Sequence, residues 1–170
     1  MAEAGQRLGL SRYTAADLAH HLAAAVGTEG LIGGQALDLE SRSEHLDLER
    51  LEYIHSHKTG ALFIACAQVG ALLAGAREEE VGALAEHAKN VGLAYQITDD
   101  LLDVVGDPEV VGKDVAKDAA KVTFVKLLDV DGARALAAEL LEFAVASLAP
   151  LGARAAPLRA LALMVRDRRR

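Results

Sequence analysis

The stretch EEEVGALAEHAKNVGLAYQITDDLLDVVG, residues 78–106, decides the fold. Three glutamates stand at its start, where the helix dipole favours negative charge, and Gly106-Asp107-Pro108 closes it with residues that end helices. We therefore predict one long helix over Glu78–Val105. Alanine, leucine and glutamate also dominate the rest of the chain, and aromatic residues make up 4% of it, a composition that favours helices over strands. The predicted fold class is all-α.

Capping residues, glycines and helical spacing divide the rest of the chain into further helices. These are a helix between Thr14 as N-cap and Gly27, a short one over residues 30–38, a long or slightly broken one over 46–73 with Asp47 as N-cap, and two over about 131–149 and 155–167. Residues 106–121 lack apolar periodicity and predict a polar loop. We expect one domain over residues 1–170, a bundle of about six helices.

Composition excludes several classes of protein. A net charge of −7 argues against a nucleic-acid-binding domain with a broad basic face. The single cysteine, Cys66, excludes an intramolecular disulfide. The longest uncharged run, residues 60–76, is shorter than the ~20 apolar residues of a membrane span, and the first residues lack the continuous apolar core of a signal peptide. We therefore expect a cytoplasmic protein without a membrane span.

Three aspartates interrupt the apolar end of the long predicted helix. At about 100° per residue, Asp99 and Asp103 share one face, Gln96 lies one turn earlier on the same stripe, and Asp100 points aside. Hard oxygen ligands at this spacing suit Mg²⁺, which is usually held by one or two carboxylates plus substrate phosphates. A solvated acidic stripe is the alternative interpretation, because acidic residues most often lie on exposed faces.

Two groups of cations accompany this acidic face. Lys58 and Thr59 stand before a glycine in IHSHKTGALF, and Lys113, Lys117 and Lys121 recur every fourth residue in GKDVAKDAAKVTF. Each group alone is typical of solvated surface charge. A divalent-metal face followed by lysines is, however, what a metal-bridged diphosphate requires, because both must offset its negative charge. Together they indicate a diphosphate site.

Four segments, GLIGGQALDLE, IHSHKTGALF, AYQITDDLLDVVGD and the following GKD, KD and KVTF, carry a family resemblance. In order and approximate spacing they resemble the C-terminal half of trans-isoprenyl diphosphate synthases, the polyprenyl synthetases of the farnesyl and geranylgeranyl type. The resemblance covers nearly the whole chain from about Ser11. It implies the second half of the isoprenoid synthase fold. In GGQ we expect Gly33 and Gly34 to permit close helix packing and Gln35 to be polar filler, in preference to a direct catalytic role.

The resemblance also implies roles for particular residues. Asp99, Asp100 and Asp103 would be the family's second aspartate-rich motif and would bind Mg²⁺. Lys58, Lys113 and Lys117 would bind the allylic diphosphate, and Lys58, Thr59 and Gln96 would form the catalytic set near the leaving group. The implied activity is that of a prenyltransferase, which condenses isopentenyl diphosphate head to tail with an allylic diphosphate. The tail RDRRR, residues 166–170, resembles basic tails that some members fold toward the diphosphate site, but we expect a solvated, frayed end.

The sequence also departs from the family pattern. It contains one Asp-Asp pair, so the first aspartate-rich motif of the N-terminal half has no counterpart, and the lysine loop is shorter than usual. Three hypotheses therefore stay open: a truncated or partial prenyltransferase chain, a subunit that completes its site with a partner, or a non-catalytic regulatory protein that binds Mg²⁺ and diphosphate. An apolar surface where the N-terminal helices would pack predicts a homo-oligomer or association with a complementary synthase chain.

Overall fold

The computed structural model describes residues 13–41, 46–105 and 122–168. The regular elements in these ranges are all helical, which confirms the predicted all-α class. They are α1 (Ala15–Val26), α2 (Leu31–Glu40), α3 (Leu48–His55), a π-helical turn (Ser56–Gly60), α4 (Ala61–Leu73), α5 (Glu78–Val105), α6 (Phe124–Ser147), a 3₁₀ segment (Ala149–Ala155) and α7 (Ala156–Arg166).

Local caps set the predicted helix starts. The Thr14 hydroxyl accepts a hydrogen bond from the Asp17 amide, and the Asp17 carboxylate accepts one from the Thr14 amide, so α1 begins with a reciprocal capping box. Asp47 caps α3 by accepting the Arg50 amide at 2.9 Å. The predicted bounds of α5, Glu78 and Val105, are confirmed.

One predicted helix is broken, and another begins earlier than predicted. The helix expected over 46–73, long or slightly broken, is divided by the π-helical turn, and this division accounts for the seventh α-helix of the described residues. The last long helix begins at Phe124 rather than near 131, because Thr123 caps it through the Lys126 amide. Asp129, at φ 61°, then bends α6, and its carboxylate accepts the Gly132 amide at 2.9 Å. The sequence prediction therefore located only the part of α6 that follows this bend.

Helix α5 is the centre of the fold. It packs along α6 on one side and against α4 and the π-helical turn on another. Ala94 and Ile97 are fully buried on α5, and the small residues Ala133 and Ala144 are fully buried on α6, where they let the two helices approach closely. The helix that carries the aspartates is thus held firmly over its length.

At its N-terminal end, α5 is tied to the 3₁₀ segment by a buried carboxylate. Glu80 accepts hydrogen bonds from the Arg77 amide at 2.9 Å and from the guanidinium groups of Arg77 and Arg154. These donors, the Arg77 amide first, lower the pKa of Glu80 to about 2. Glu80 therefore stays ionised although its side chain is only 7% exposed.

In the part of the chain that the structure describes, no single helix has both the length and the apolarity to cross a membrane. Residues Phe124–Ser147 and Ala149–Arg166 meet that criterion only as a pair, which is bent by 91°.

Candidate functional site

The three aspartates of α5 occupy different environments. The side chain of Asp99 is 32% exposed, and Asp103 is exposed one turn later on the same face. Asp100, by contrast, is 3% exposed. The helical spacing had placed Asp100 aside from the other two, and the structure agrees with that separation.

Asp100 anchors the start of α6. Its Oδ2 accepts a hydrogen bond from the amide of Phe124, the first residue of α6, at 3.0 Å. That amide has no partner within its own helix, so a carboxylate there satisfies it and complements the positive end of the helix dipole. The ring of Phe124 is fully buried beside His55, with the ring centroids 5.5 Å apart. The sequence prediction missed this anchoring contact, because the partner is 24 residues away.

Asp99 pairs with the C-terminal segment. Nη2 of Arg168 lies 3.3 Å from Oδ1 of Asp99, and the guanidinium carbon lies 4.4 Å from the ring centroid of Tyr95. Tyr95 and Asp99 are four residues apart and therefore neighbours on one face of α5. The sequence singled out the tail 166–170 as a group; the structure identifies Arg168 as the residue that reaches the acidic face.

Lys58 lies on the π-helical turn and is held by α2. Its Nζ donates a hydrogen bond to Oδ2 of Asp38 at 2.8 Å, and the side chains are 30% and 13% exposed, respectively. The sequence prediction missed Asp38, although a signal existed: Asp38 follows Gly34 by four residues and so shares its helical face. A partly buried ion pair thus fixes the cation that was predicted to bind diphosphate.

Gly34 brings α2 close to Lys58. A Cβ added at Gly34 would lie 2.3 Å from the Lys58 backbone nitrogen, closer than any side chain permits. At Gly33 an added Cβ would lie 1.9 Å from the Thr28 carbonyl oxygen. The prediction of close helix packing is confirmed at Gly34, whereas Gly33 lies against the turn that precedes α2.

The π-helical turn also packs on α5. A Cβ added at Gly92 would lie 3.3 Å from Cγ of Phe63 and 3.5 Å from Cα of Gly60, so this glycine lets the turn and α4 approach α5 closely. Thr59 on the turn and Gln96 on α5 are both partly buried. The structure therefore places the Lys58-Thr59 pair on an element packed against the helix that carries Gln96 and the aspartates. Lys113 and Lys117 lie outside the described residues.

The donor set fits a magnesium ion that also binds a substrate. Among the residues that the structure describes, no three His, Cys, Asp or Glu side chains are grouped closely enough to hold a metal by themselves. Asp99 and Asp103 nevertheless offer accessible carboxylate oxygens one helical turn apart. Mg²⁺ typically takes one or two protein carboxylates and completes its six positions with water and phosphate oxygens, and these two side chains suit that arrangement.

The sequence profile of the Polyprenyl synthetase family matches residues 7–144. A dimethylallyltranstransferase of Fischerella ambigua is 49% identical over 144 residues, an alignment that covers 83% of this chain and 42% of that protein. Farnesyl diphosphate synthase of Escherichia coli is 44% identical over 133 residues, which are 76% of this chain and 44% of the relative. The chain thus spans about two fifths of the length of these curated relatives.

Solved structures show the same likeness. Geranylgeranyl pyrophosphate synthetase of Pyrococcus horikoshii superposes with a TM-score of 0.81 at 26% identity, covering 96% of this chain and 63% of its own. A geranyltransferase of Helicobacter pylori, complexed with magnesium and isoprenyl diphosphate, gives 0.74 at 33% identity, with coverage of 93% and 53%. The sequence profile, the curated relatives and the superposed structures agree, and the chain belongs to the polyprenyl synthetase family.

Proposed function

We propose that this chain supplies the second aspartate-rich half of a Mg²⁺-dependent prenyl diphosphate synthase site. The observation that carries the proposal is the accessible pair Asp99 and Asp103 on α5, with the Lys58-bearing turn packed on the same helix. Membership of the polyprenyl synthetase family supports the reaction class. The proposed reaction is the head-to-tail condensation of isopentenyl diphosphate with an allylic diphosphate.

In this proposal each predicted residue has a defined task, and that of Asp100 changes from binding Mg²⁺ to a supporting role because its side chain is buried on the Phe124 amide. Asp99 and Asp103 hold Mg²⁺, while Asp100 supports the motif by fixing α6 against α5. The ammonium group of Lys58 contacts the diphosphate of the allylic substrate, and Asp38 keeps that ammonium group in position. The remaining predicted residues contribute as follows: Lys113 and Lys117 bind the same diphosphate, and Thr59 and Gln96 line the site near the leaving group.

The chemistry requires stabilisation of a departing anion. The bond between the allylic carbon and the diphosphate oxygen breaks, and its electron pair leaves with the diphosphate. The double bond of isopentenyl diphosphate then attacks the allylic cation, a carbon–carbon bond forms, and a proton is lost. Bound Mg²⁺ supplies Lewis-acid stabilisation of the leaving group. Lys58, fixed by Asp38 before the substrate arrives, adds positive charge without the cost of reorganising the side chain.

Binding of Mn²⁺ and inorganic diphosphate, measured by isothermal titration calorimetry, tests the metal role. Asp99→Ala should weaken metal-dependent diphosphate binding by about tenfold or more, because it removes a charged ligand, and tenfold corresponds to roughly 1.4 kcal/mol. Asp131→Ala is the matched control, since that carboxylate lies on α6 and is 95% exposed. Equal binding in both variants would exclude Asp99 as a metal ligand.

Turnover is a separate question. The chain should be assayed with labelled isopentenyl diphosphate, farnesyl diphosphate and Mg²⁺, with and without added candidate partner chains. Product formation that Asp99→Ala abolishes would support a synthase. Metal-dependent binding without product under every condition would instead favour the alternative, a non-catalytic or regulatory subunit.

We further propose that the chain associates with a second copy of itself. The support is apolar surface on α5, α6 and α7: Val104, Phe143 and Met164 are 57%, 57% and 70% exposed. Burial of these large side chains between two copies would remove their apolar area from water. Sedimentation velocity should give a dimer mass that Met164→Glu reduces. A monomer at all concentrations would overturn the proposal, and mass gained only with another synthase chain would point to a complementary partner.

A further inference from the structure

We propose that Arg168 is an internal competitor for the metal position at Asp99, so that the C-terminal segment must leave the acidic face before Mg²⁺ binds there. This inference rests on the proposed metal role of Asp99. In this inference Arg168 lowers the metal affinity of the site, and it does so through its contact with Asp99 on α5.

The geometry places a cation beside one oxygen of the carboxylate that would hold the metal. Nη2 of Arg168 lies 3.3 Å from Oδ1 of Asp99. A guanidinium donor and Mg²⁺ both seek the lone pairs of that carboxylate, and Mg²⁺ requires an oxygen at about 2.0–2.1 Å in a near-octahedral set. Two positive groups competing for one carboxylate also repel each other. Occupation by one therefore opposes occupation by the other.

A second residue of α5, Tyr95, also contacts the guanidinium group of Arg168. The plane of the guanidinium lies over the Tyr95 ring, with 4.4 Å between its carbon and the ring centroid, so Arg168 is held by two residues one turn apart on α5. Its side chain is 24% exposed, whereas that of the nearby Arg166 is 56% exposed. The attraction between a guanidinium and an aromatic ring face adds to that of the ion pair.

The ion pair between Arg168 and Asp99 is weak enough for a bound metal to displace it reversibly. Partly exposed ion pairs contribute up to about 1 kcal/mol, which corresponds to a change of up to about 5-fold in an apparent metal affinity. Mg²⁺ bound together with a diphosphate can displace such a pair. Because coupling is reciprocal, metal binding must release Arg168 by the same factor by which Arg168 weakens metal binding.

The first measurement is Mn²⁺ affinity, read from the electron paramagnetic resonance signal of unbound Mn²⁺. Arg168→Ala should raise the affinity about 2- to 5-fold, and the gain should shrink at high salt. Arg166→Ala is the matched control: it removes the same charge from the same end of the chain, but its guanidinium pairs with Asp167. It should change the affinity by less than half as much. An unchanged or weaker affinity in Arg168→Ala would overturn the inference.

The second measurement needs no variant of the tail. Arg168 should react with phenylglyoxal faster when Mn²⁺ is present, as followed by peptide mass mapping, and Asp99→Ala should give the fast rate without metal. A rate that metal does not change would refute the competition.

These experiments distinguish the proposed metal role of Asp99 from the proposed competition by Arg168. If Asp99→Ala removes Mn²⁺ binding while Arg168→Ala matches Arg166→Ala, the metal role stands and the competition is wrong. If Asp99→Ala leaves Mn²⁺ binding intact, the proposed metal site and the competition both fail.

Discussion

Two carboxylates on α5, those of Glu80 and Asp99, contact arginines from the C-terminal part of the chain, but they differ in burial and in the number of donors around them. Glu80, near the start of α5, is 7% exposed and accepts three donors, namely the Arg77 amide and the guanidinium groups of Arg77 and Arg154. Asp99, near the end of α5, is 32% exposed and meets one arginine, Arg168, at 3.3 Å. A carboxylate enclosed by donors serves the fold, whereas one left accessible beside a stacked arginine is suited to exchange partners.

Substitution of Asp100 gives the strongest test of this comparison, because Asp100 adjoins Asp99 in sequence but resembles Glu80 in its burial. Asp100→Ala should lower the free energy of unfolding by about 1–3 kcal/mol, since it leaves the buried Phe124 amide without its acceptor. Urea denaturation followed by circular dichroism measures this change. Asp99→Ala should alter stability by less than about 1 kcal/mol. Equal losses in the two variants would break the distinction.

The contribution of Glu80 to stability should depend on pH. Its folded pKa, about 2, lies below the ordinary value of 4.5, so its contribution to stability is complete above about pH 4.5 and is lost as the pH falls toward 2. Glu80→Gln should lower the melting temperature at pH 7 by several degrees and should have a smaller effect near pH 2. Thermal melts over this range are the measurement. A constant difference between variant and parent at every pH would show that the charge of Glu80 is unimportant.

Asp38 should show the smallest effect on stability. Its carboxylate meets Lys58 at 2.8 Å, but the lysine is 30% exposed, so water can replace much of the contact. Asp38→Asn should cost at most about 1 kcal/mol in urea denaturation. Diphosphate affinity should fall at the same time if Asp38 positions Lys58. A rise in affinity would mean that Asp38 competes with the substrate instead.

Local signals predicted most of the fold. The caps at Thr14 and Asp47 and the bounds of α5 depend on residues within one or two turns, and these predictions are confirmed. The early start of α6 was missed because Asp129 interrupts the apolar spacing there. Its positive φ is a property of the backbone that the residue type suggests only weakly.

The sequence suggested residue types for the candidate site but not the contacts that these residues make. Helical spacing separated Asp100 from Asp99 and Asp103, whereas the partners of these residues come from distant segments. Glu80 and Arg154, for example, are 74 positions apart. Pairings of this kind depend on how α5, α6 and α7 pack together, and composition and spacing do not encode that. The contact of Asp38 with Lys58 depends on how α2 packs on the π-helical turn, and that of Arg168 with Asp99 depends on how the C-terminal segment packs on α5.

The π-helical turn Ser56–Gly60 sets the rotation of α3 relative to α4 about the helix axis. A π turn accommodates one residue more than an α turn, and one residue in a helix corresponds to a rotation of about 100°. With this extra residue, α3 presents Leu51 and Ile54 to the interior while α4 presents Ala65 and Val69. Deleting one residue from the turn would rotate one set away from its neighbours. A deletion there should thus cost more than any single substitution of Lys58, because it would misalign two buried faces.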